Sequence, residues 1–554
     1  MTDVAPDSSV PDRWRREASG NELEIALEPG ERWWGGAVDD GVHMPFGERP
    51  FARALGATDP ADIDTLSTNQ SAPLLLSSTG RILWSDGPFT FRFGDAVLGT
   101  PGSPDAERKL PGGTGRVLRV SGKDVELGRG GSSLRGAFRT AAARFFPPSG
   151  HTPARALFSG PQYNSWIEQP YTPTQEGILG YVRGLLDAGL PPGVVMIDDS
   201  WSPDYGTWRF DPARFPDPAA MTAQLHEWGC SVMLWLVPFV SPDSATFRDL
   251  EARRLLLRDR TGGAAIRRWW NGFSAVLDLS DPDALSWLTG ELDALLALGV
   301  DGFKFDGADI RDFRADDDMA RRLDPAEMCE QWARLGLRYP YNEFRACWRM
   351  GGQPLAQRLQ DKAPEWGPSG IESLVPELIA QGLIGHPFGC PDMIGGGEID
   401  AMREKGAVDQ EFFVRYAQVA ALAPMMQFSV SPSRVLDEVH LEAVQDALAV
   451  RQAQLPRILA LVEDAARSGE PILRPMAYHE AELDDVTDQF FLGPDLLVAP
   501  VLTRGATARN VVLPAGRWRA DDGALHEGPA TVAVDCGLSR IPRFERVPAT
   551  GTGS

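Results

Sequence analysis

Along the first 150 residues apolar positions come in short runs of four to six, bounded by Gly and Pro: Leu23-Glu-Ile-Ala-Leu27, Ala72-Pro-Leu-Leu-Leu76, Phe89-Thr-Phe-Arg-Phe93 and Gly115-Arg-Val-Leu-Arg-Val120. Phe89, Phe91 and Phe93 alternate with polar residues, a period of two that places them on one face of a strand. Runs of this kind separated by turn residues predict antiparallel strands, most simply a β-sandwich over 1–150. Near residue 156 the period changes. Thr172-Pro173 reads as an N-cap and a first-turn proline, with Ile178, Val182 and Leu185 at helical spacing and a stop near Gly189. The apolar run Gly193-Val-Val-Met-Ile197 follows as a buried strand. The same device recurs. Asp217-Pro218 opens a helix with Met221, Leu225 and Trp228 on one face, ahead of the strand Ser231–Val237. Asp281-Pro282 opens another, with Leu285, Leu288, Leu292 and Leu295, ahead of Gly302-Phe-Lys-Phe305.

Near-continuous apolar strands alternating with helices predict a parallel sheet covered on both faces. Over 151–465 the natural closure is a (β/α)8 TIM barrel, an α/β fold. Beyond about 465 short strand-like runs return, namely Asp488–Leu492, Leu496–Leu502 and Asn510–Pro514, and 466–554 is expected to be a C-terminal β-sandwich. The first dozen residues and 549–554 are expected to be disordered.

Bulk properties narrow the partners. A chain of 554 residues is too long for one core. Its formal charge of −23 repels phosphate backbones and anionic lipid, which argues against nucleic acid and membrane surfaces. The sequence contains no apolar stretch of about 18 residues. The five cysteines are scattered, without metal-ligand spacing, and no basic-then-apolar leader is visible at the N-terminus, so a reducing, cytoplasmic location is expected. The seven histidines form no HExxH or close pair. No metal or cofactor is expected, the expected partner is an oligosaccharide or glycoside, and self-association into a homo-oligomer stays open.

In a (β/α)8 barrel functional side chains sit at the C-terminal ends of strands. The strand from Val194 ends in Asp198-Asp199-Ser-Trp201, and the strand from Gly302 ends in Asp306, with Asp309 just beyond. Asp392 follows the apolar run Leu383–Phe388. Any one Asp after a strand is more simply a helix cap, and any one Trp is more simply core. Convergence weakens that reading. Lys304 shares the inward side of its strand with Asp306 and needs an anionic partner there. Carboxylates grip hydroxyls, and flat aromatic rings such as Trp201, Trp235 and Trp270 pack on sugar faces.

These residues resemble glycoside hydrolase family 31 over nearly the whole chain. Phe303-Lys-Phe-Asp-Gly-Ala-Asp309 resembles its nucleophile strand, and Met196-Ile-Asp-Asp-Ser-Trp201 with Met233-Leu-Trp-Leu-Val-Pro238 its third and fourth barrel strands. Phe388-Gly-Cys-Pro-Asp-Met-Ile-Gly-Gly396 resembles its late-barrel motif, and Asp488–Pro500 the start of its C-terminal sandwich. The resemblance implies an N-terminal sandwich, a barrel and one C-terminal sandwich, the family's distal one being expected to be missing. It also implies retaining hydrolysis by two aspartates about 5–5.5 Å apart. Asp306 maps to the nucleophile. Asp361 maps to the acid/base, with Glu365 as fallback because the usual Trp-Gly-Asp is absent. Asp198, Asp199, Arg345 and Asp392 are expected to bind the sugar, Trp201, Trp235 and Trp270 to line the pocket, and Lys304 to orient the nucleophile or lower its pKa. Pro391 replaces the family's usual histidine. That change, the Asp198-Asp199 pair and Gln162-Tyr-Asn-Ser-Trp-Ile-Glu168 resemble the α-galactosidase branch, so a terminal α-galactoside is the expected substrate. The alternatives are an α-glucosidase, an α-transglycosylase, a sulfoquinovosidase using Arg267 and Arg268, or a non-catalytic sugar-binding protein.

Overall fold

The computed structural model describes residues 15–16, 22–56, 69–96, 116–399 and 408–548. The disorder expected at both termini falls outside them. The N-terminal unit is built from two largely antiparallel sheets. One joins Leu23–Ala26, Val117–Gly122, Phe89–Phe93 and Phe51–Ala54; the other joins Arg15–Arg16, Glu126–Arg129, Arg81–Trp84, Gln70–Ser77 and Trp33–Ala37. Phe89, Phe91 and Phe93 are buried and Thr90 and Arg92 are not, as the alternation predicts. Phe46 packs on Phe91 and Phe93 to fill the core. The stretch is not all strand, since Leu134–Phe145 is a helix capped by Ser133.

The barrel strands are β1 (Gln162–Asn164), β2 (Val194–Ile197), β3 (Ser231–Leu236), β4 (Gly302–Phe305), β5 (Tyr341–Phe344), β6 (Gln357–Arg358), β7 (Gly389–Cys390) and β8 (Gln427–Phe428). From β1 to β7 each strand pairs in parallel with the next in chain order, and β8 pairs with β1. The Met425 N–H donates to the Gly389 carbonyl at 3.1 Å and closes the seam between β7 and β8. The apolar runs of β2 to β4 are buried because helices cover them outside and side chains fill them inside. Gly302 opens β4 because a Cβ there would stand 2.0 Å from the Tyr341 carbonyl oxygen across the ladder.

Two proline-led helices start where expected: Asp217 caps Pro218–Glu227 and Asp281 caps Pro282–Leu296. The helix expected from Thr172 begins later, at Gln175. The Thr174 hydroxyl reaches the Gly177 N–H at 3.0 Å, whereas the Thr172 hydroxyl turns back to the Pro170 carbonyl. Between β3 and β4 a small antiparallel sheet of Phe239–Val240, Ile266–Trp269 and Gly272–Val276 stands over the barrel mouth. The last helix, Glu438–Ser468, runs past residue 465. A six-stranded antiparallel sheet follows with its own core of Phe491, Leu497, Val511, Leu513, Trp518 and Phe544.

Helix Ile371–Leu383 packs the barrel against the N-terminal unit and buries Glu377, which pairs with the Lys362 ammonium. Burial pushes the Glu377 carboxyl up to about 7, against the opposing pull of Lys362. The folded state therefore holds this proton more tightly than the unfolded chain does. The group's contribution to stability falls as pH rises from about 4.5 to about 7 and is flat above, a change on the order of 3 kcal/mol. Glu377→Gln is expected to lose less Tm than the wild type between about pH 5 and about pH 7.5. Equal losses in the two proteins would reject this account.

Candidate active site

Asp306 leaves the end of β4, and Gly307 (φ 62°) and Ala308 (φ 57°) turn the chain left-handed behind it. That turn brings the Gly307 N–H to Asp306 Oδ1 at 2.8 Å. Arg345, directly after β5, donates from Nε to the same oxygen at 2.7 Å. Trp235, in β3, donates from Nε1 to Oδ2 at 2.8 Å. Lys304 Nζ stands 4.0 Å from that Oδ2 and 2.7 Å from Asp198 Oδ2. Burial alone would raise the Asp306 carboxyl. The Arg345, Lys304 and Arg358 cations, with the Trp235 hydrogen bond, outweigh it and hold Asp306 well below the usual carboxylate range. Burial likewise opposes the Lys304 charge, but the Asp198 carboxylate keeps it a cation.

The rest of the inner layer is polar and paired. The Asn164 amide donates to Asp198 Oδ2 at 2.8 Å and to Gln427 Oε1 at 3.1 Å, and Gln427 Nε2 donates to Glu343 Oε2 at 2.8 Å. Glu343 lies directly across the ladder from Lys304. Arg358, at the end of β6, lies 3.5 Å from Glu343, 2.9 Å from Asp361 Oδ1, and pairs with Asp392 Oδ1. Breaking one partner out of such a buried pair costs about 3–5 kcal/mol, so these charges fix one another's positions.

Of the expected residues, Asp198, Trp235, Lys304, Asp306 and Arg345 meet at one point. Trp270, 45% exposed, stands at the rim with its ring 5.1 Å from the Arg345 guanidinium. Asp361 joins the cluster through Arg358, its side chain 44% exposed. A Cβ on Gly397 would lie 3.0 Å from Asp361 Cγ and 2.8 Å from Asp392 Oδ2, so backbone packs tightly against both carboxylates. Glu365 is exposed in the turn leading to Ile371–Leu383, its carboxylate beside Gly367 rather than in the cluster.

Three expected contacts are placed differently. Trp201 is fully buried against Trp208 and Phe210, and its Nε1 donates to the Trp235 carbonyl at 2.7 Å; it supports β3 from behind instead of offering a ring face. Asp392 is fully buried, with one oxygen on Arg358 and the other accepting the Lys362 N–H at 2.7 Å, so it braces the segment carrying Asp361. Burial pushes its carboxyl up, against the Arg358 guanidinium. Asp199 accepts from Tyr205 at 3.1 Å, Ser200 at 3.1 Å and Asn271 at 2.6 Å, which fills its lone pairs with protein donors. Burial, with the Asp198 charge, pushes it up to about 6.

Sequence reasoning missed Glu343, Arg358, Asn164, Asn271, Gln427 and Asn69. One signal was present. Glu343 and Arg345 repeat the two-residue spacing of Lys304 and Asp306, one side chain inside the barrel and the next at its rim. Arg267, offered as a sulfonate ligand, is consumed by Asp317 and by the Asp312 carbonyl at 3.0 Å, and Arg268 is exposed on the opposite face of its strand.

The barrel thus sets aspartates beyond the ends of β2, β4 and β6, with a tryptophan at its rim. Comparison with known proteins gives the family. Residues 158–331 match the TIM-barrel domain of glycosyl hydrolases family 31, and residues 469–548 match that family's C-terminal domain. The chain is 30% identical over 553 residues to the myogenesis-regulating glycosidase of Mus musculus, an alignment covering 94% of this chain and 76% of that protein. It is 29% identical over 372 residues to an alpha-xylosidase of Emericella nidulans, covering 63% of this chain and 46% of that protein. A family 31 sulfoquinovosidase from E. rectale superposes with a TM-score of 0.78 at 17% identity, over 96% of this chain and 83% of that one, which shows a shared fold. The chain belongs to glycoside hydrolase family 31, and a carbohydrate is its substrate. No described helix is long and apolar enough to cross a membrane.

Proposed function

We propose that this glycosidase is a retaining, exo-acting α-glycoside hydrolase in which Asp306 is the nucleophile and Asp361 the acid/base. The observation that carries this is the opposite setting of the two carboxylates. Asp306 is buried and held ionised by Arg345, Trp235, Gly307 and Lys304, as a nucleophile at an anomeric carbon must be. Asp361 is half open to the cleft with one protein cation on it, free to give a proton to a leaving oxygen and later take one from water. In the first step Asp306 Oδ attacks the anomeric carbon, the glycosidic bond breaks, and Asp361 protonates the departing oxygen. In the second, Asp361 deprotonates water, which displaces Asp306 and restores the α-configuration.

The exo reading is supported by the hairpin tip Trp270-Asn271 beside the site. Asn271 ties that tip to Asp199 on one side, and Trp270 lies on Arg345 on the other. For the sugar we keep the terminal α-galactoside, on the Asp198-Asp199 pair and Pro391, with Asp198 and Lys304 as the hydroxyl-gripping floor. Arg267 is committed to Asp317, so a sulfonate would need a different cation. The proposed location is cytoplasmic, in keeping with five buried free thiols.

The test is a panel of aryl α-glycosides of galacto, gluco, xylo and sulfoquinovo configuration, each run with and without an added sugar acceptor. The galacto substrate is expected to give the highest kcat/KM, by about tenfold or more, with free sugar as product. A gluco or xylo preference would overturn the choice of sugar and leave the two-aspartate reading standing. Transfer to the acceptor in place of water would overturn hydrolysis.

A further inference from the structure

The residues that hold the two halves of this site together come from outside the barrel. Asn69 immediately precedes the sandwich strand Gln70–Ser77, whose Gln70 and Ser71 pair in parallel with Cys347–Trp348, just past β5. The Cys347 N–H donates to the Asn69 carbonyl at 2.8 Å, and the Arg349 N–H to the Ser71 carbonyl at 2.9 Å. This splice lays Asn69 across the mouth of the barrel between two loops. Its Oδ1 accepts from Arg345 Nη1, the guanidinium that also grips Asp306 and Asp309. Its Nδ2 donates to Gln360 Oε1 at 2.6 Å, and Gln360 immediately precedes Asp361. Gln70 repeats the bridge on the main chain. Its Nε2 donates to the Arg345 carbonyl at 3.1 Å and to the Arg358 carbonyl at 2.5 Å, and its Oε1 accepts from Gln381 at 2.6 Å. Asn69 and Gln70 are both buried, which holds their side chains in place at the centre of these bonds.

We propose that Asn69 is a positioning residue for catalysis: a strut from the N-terminal sandwich that fixes the loop carrying Asp361 relative to the Arg345 clamp on Asp306. Retaining chemistry depends on the separation of the two carboxylates, and misplacing a reacting group by about 1 Å can cost on the order of a hundredfold. Asp306 is anchored from four directions within the barrel. Asp361 is half exposed on a loop, and Gln360 ties that loop to Asn69. The proposal rests on Asp361 being the acid/base, and the test separates the two.

The variants are Gln360→Leu, Asn69→Leu, the double variant and Asp361→Ala. Each is assayed in the full-length protein with an aryl glycoside whose leaving group departs unaided and with an alkyl glycoside that needs a proton. Gln360 is half exposed, so its replacement is expected to leave Tm unchanged. Gln360→Leu is expected to lower kcat/KM for the alkyl glycoside about tenfold more than for the activated one. Asn69→Leu adds a fall in both through Arg345, with the same leaving-group ratio. The double variant matches Asn69→Leu, because the two residues form one bond. If Asp361→Ala shows the leaving-group split and Gln360→Leu does not, the strut is overturned and the acid/base assignment survives. Additive losses from Asn69→Leu and Gln360→Leu would overturn the strut equally. If Asp361→Ala shows no split, the acid/base assignment fails and the strut fails with it.

Discussion

Asp306→Ala abolishes turnover, lowering kcat on an activated aryl α-glycoside by on the order of 10⁴-fold or more. The truncation removes the attacking oxygen and leaves the Arg345 guanidinium, the Trp235 indole N–H and the Gly307 N–H without their acceptor. Those orphaned donors also cost stability, because removing one partner of a buried charge pair costs about 3–5 kcal/mol. Asp306→Asn therefore serves beside it: it fills the space, keeps one acceptor oxygen and is equally unable to attack. Two readouts fix the role. An activated 2-fluoro glycoside is expected to become covalently attached to Asp306 in the wild type, located by peptide mass. Azide is expected to enter the space left in Asp306→Ala and attack from the same side, giving a glycosyl azide of inverted configuration. A label on another residue, or an azide product of retained configuration, would remove Asp306 from the nucleophile's place.

Asp361→Ala should have the second-largest effect, and a selective one. General acid catalysis contributes about 10²–10⁴-fold, and only where the leaving oxygen needs a proton. Alkyl and sugar leaving groups should lose that full range, whereas a dinitrophenyl glycoside should form the glycosyl-enzyme almost normally and then stall at hydrolysis. Azide should relieve the stall from the open side and yield an azide of retained configuration, the reverse of the outcome for Asp306→Ala. Glu365→Gln should leave both substrates unchanged, since Glu365 stands exposed beside Gly367. If Asp361→Ala loses equally on both substrates and Glu365→Gln loses selectively, the acid/base role passes to Glu365.

How much of this was legible depended on how much apolar surface each strand carries. β2 and β3 are near-continuous apolar runs, β4 is broken only by Lys304, and proline-led helices precede β3 and β4, so their place in a barrel could be read from the chain. β5 to β8 could not. They are two to four residues long and carry Asn342, Glu343, Gln357, Arg358 and Gln427 at positions that a hydrophobic count scores as loop. Their polarity is satisfied by one another across the barrel interior, and no local pattern encodes such pairing. The same limit holds at the site. Asp306 and Lys304 share a strand, so alternation related them. Trp201 and Asp392 also follow strands, but whether a side chain at such an end faces the cleft or the protein is set by distant neighbours, here Trp208 and Phe210 for one and Arg358 for the other. Asn69 lay furthest from reach, because its role exists only once the sandwich has spliced onto the loop after β5.

That splice bears on how the molecule comes into being. Asn69 and Gln70 are separated along the chain from the groups they hold by 275 to 311 residues. On a ribosome adding about 5–20 residues per second, the sandwich edge waits roughly 15–60 seconds before Arg345 and Gln360 emerge to meet it. The barrel seam closes later still, when β8 arrives. Contacts this distant in sequence form late, after the entropy of closing a very long loop has been overcome. The pocket is therefore among the last parts of the protein to assemble, and a nascent or partly unfolded chain with an intact sandwich still has no site at which to bind a sugar.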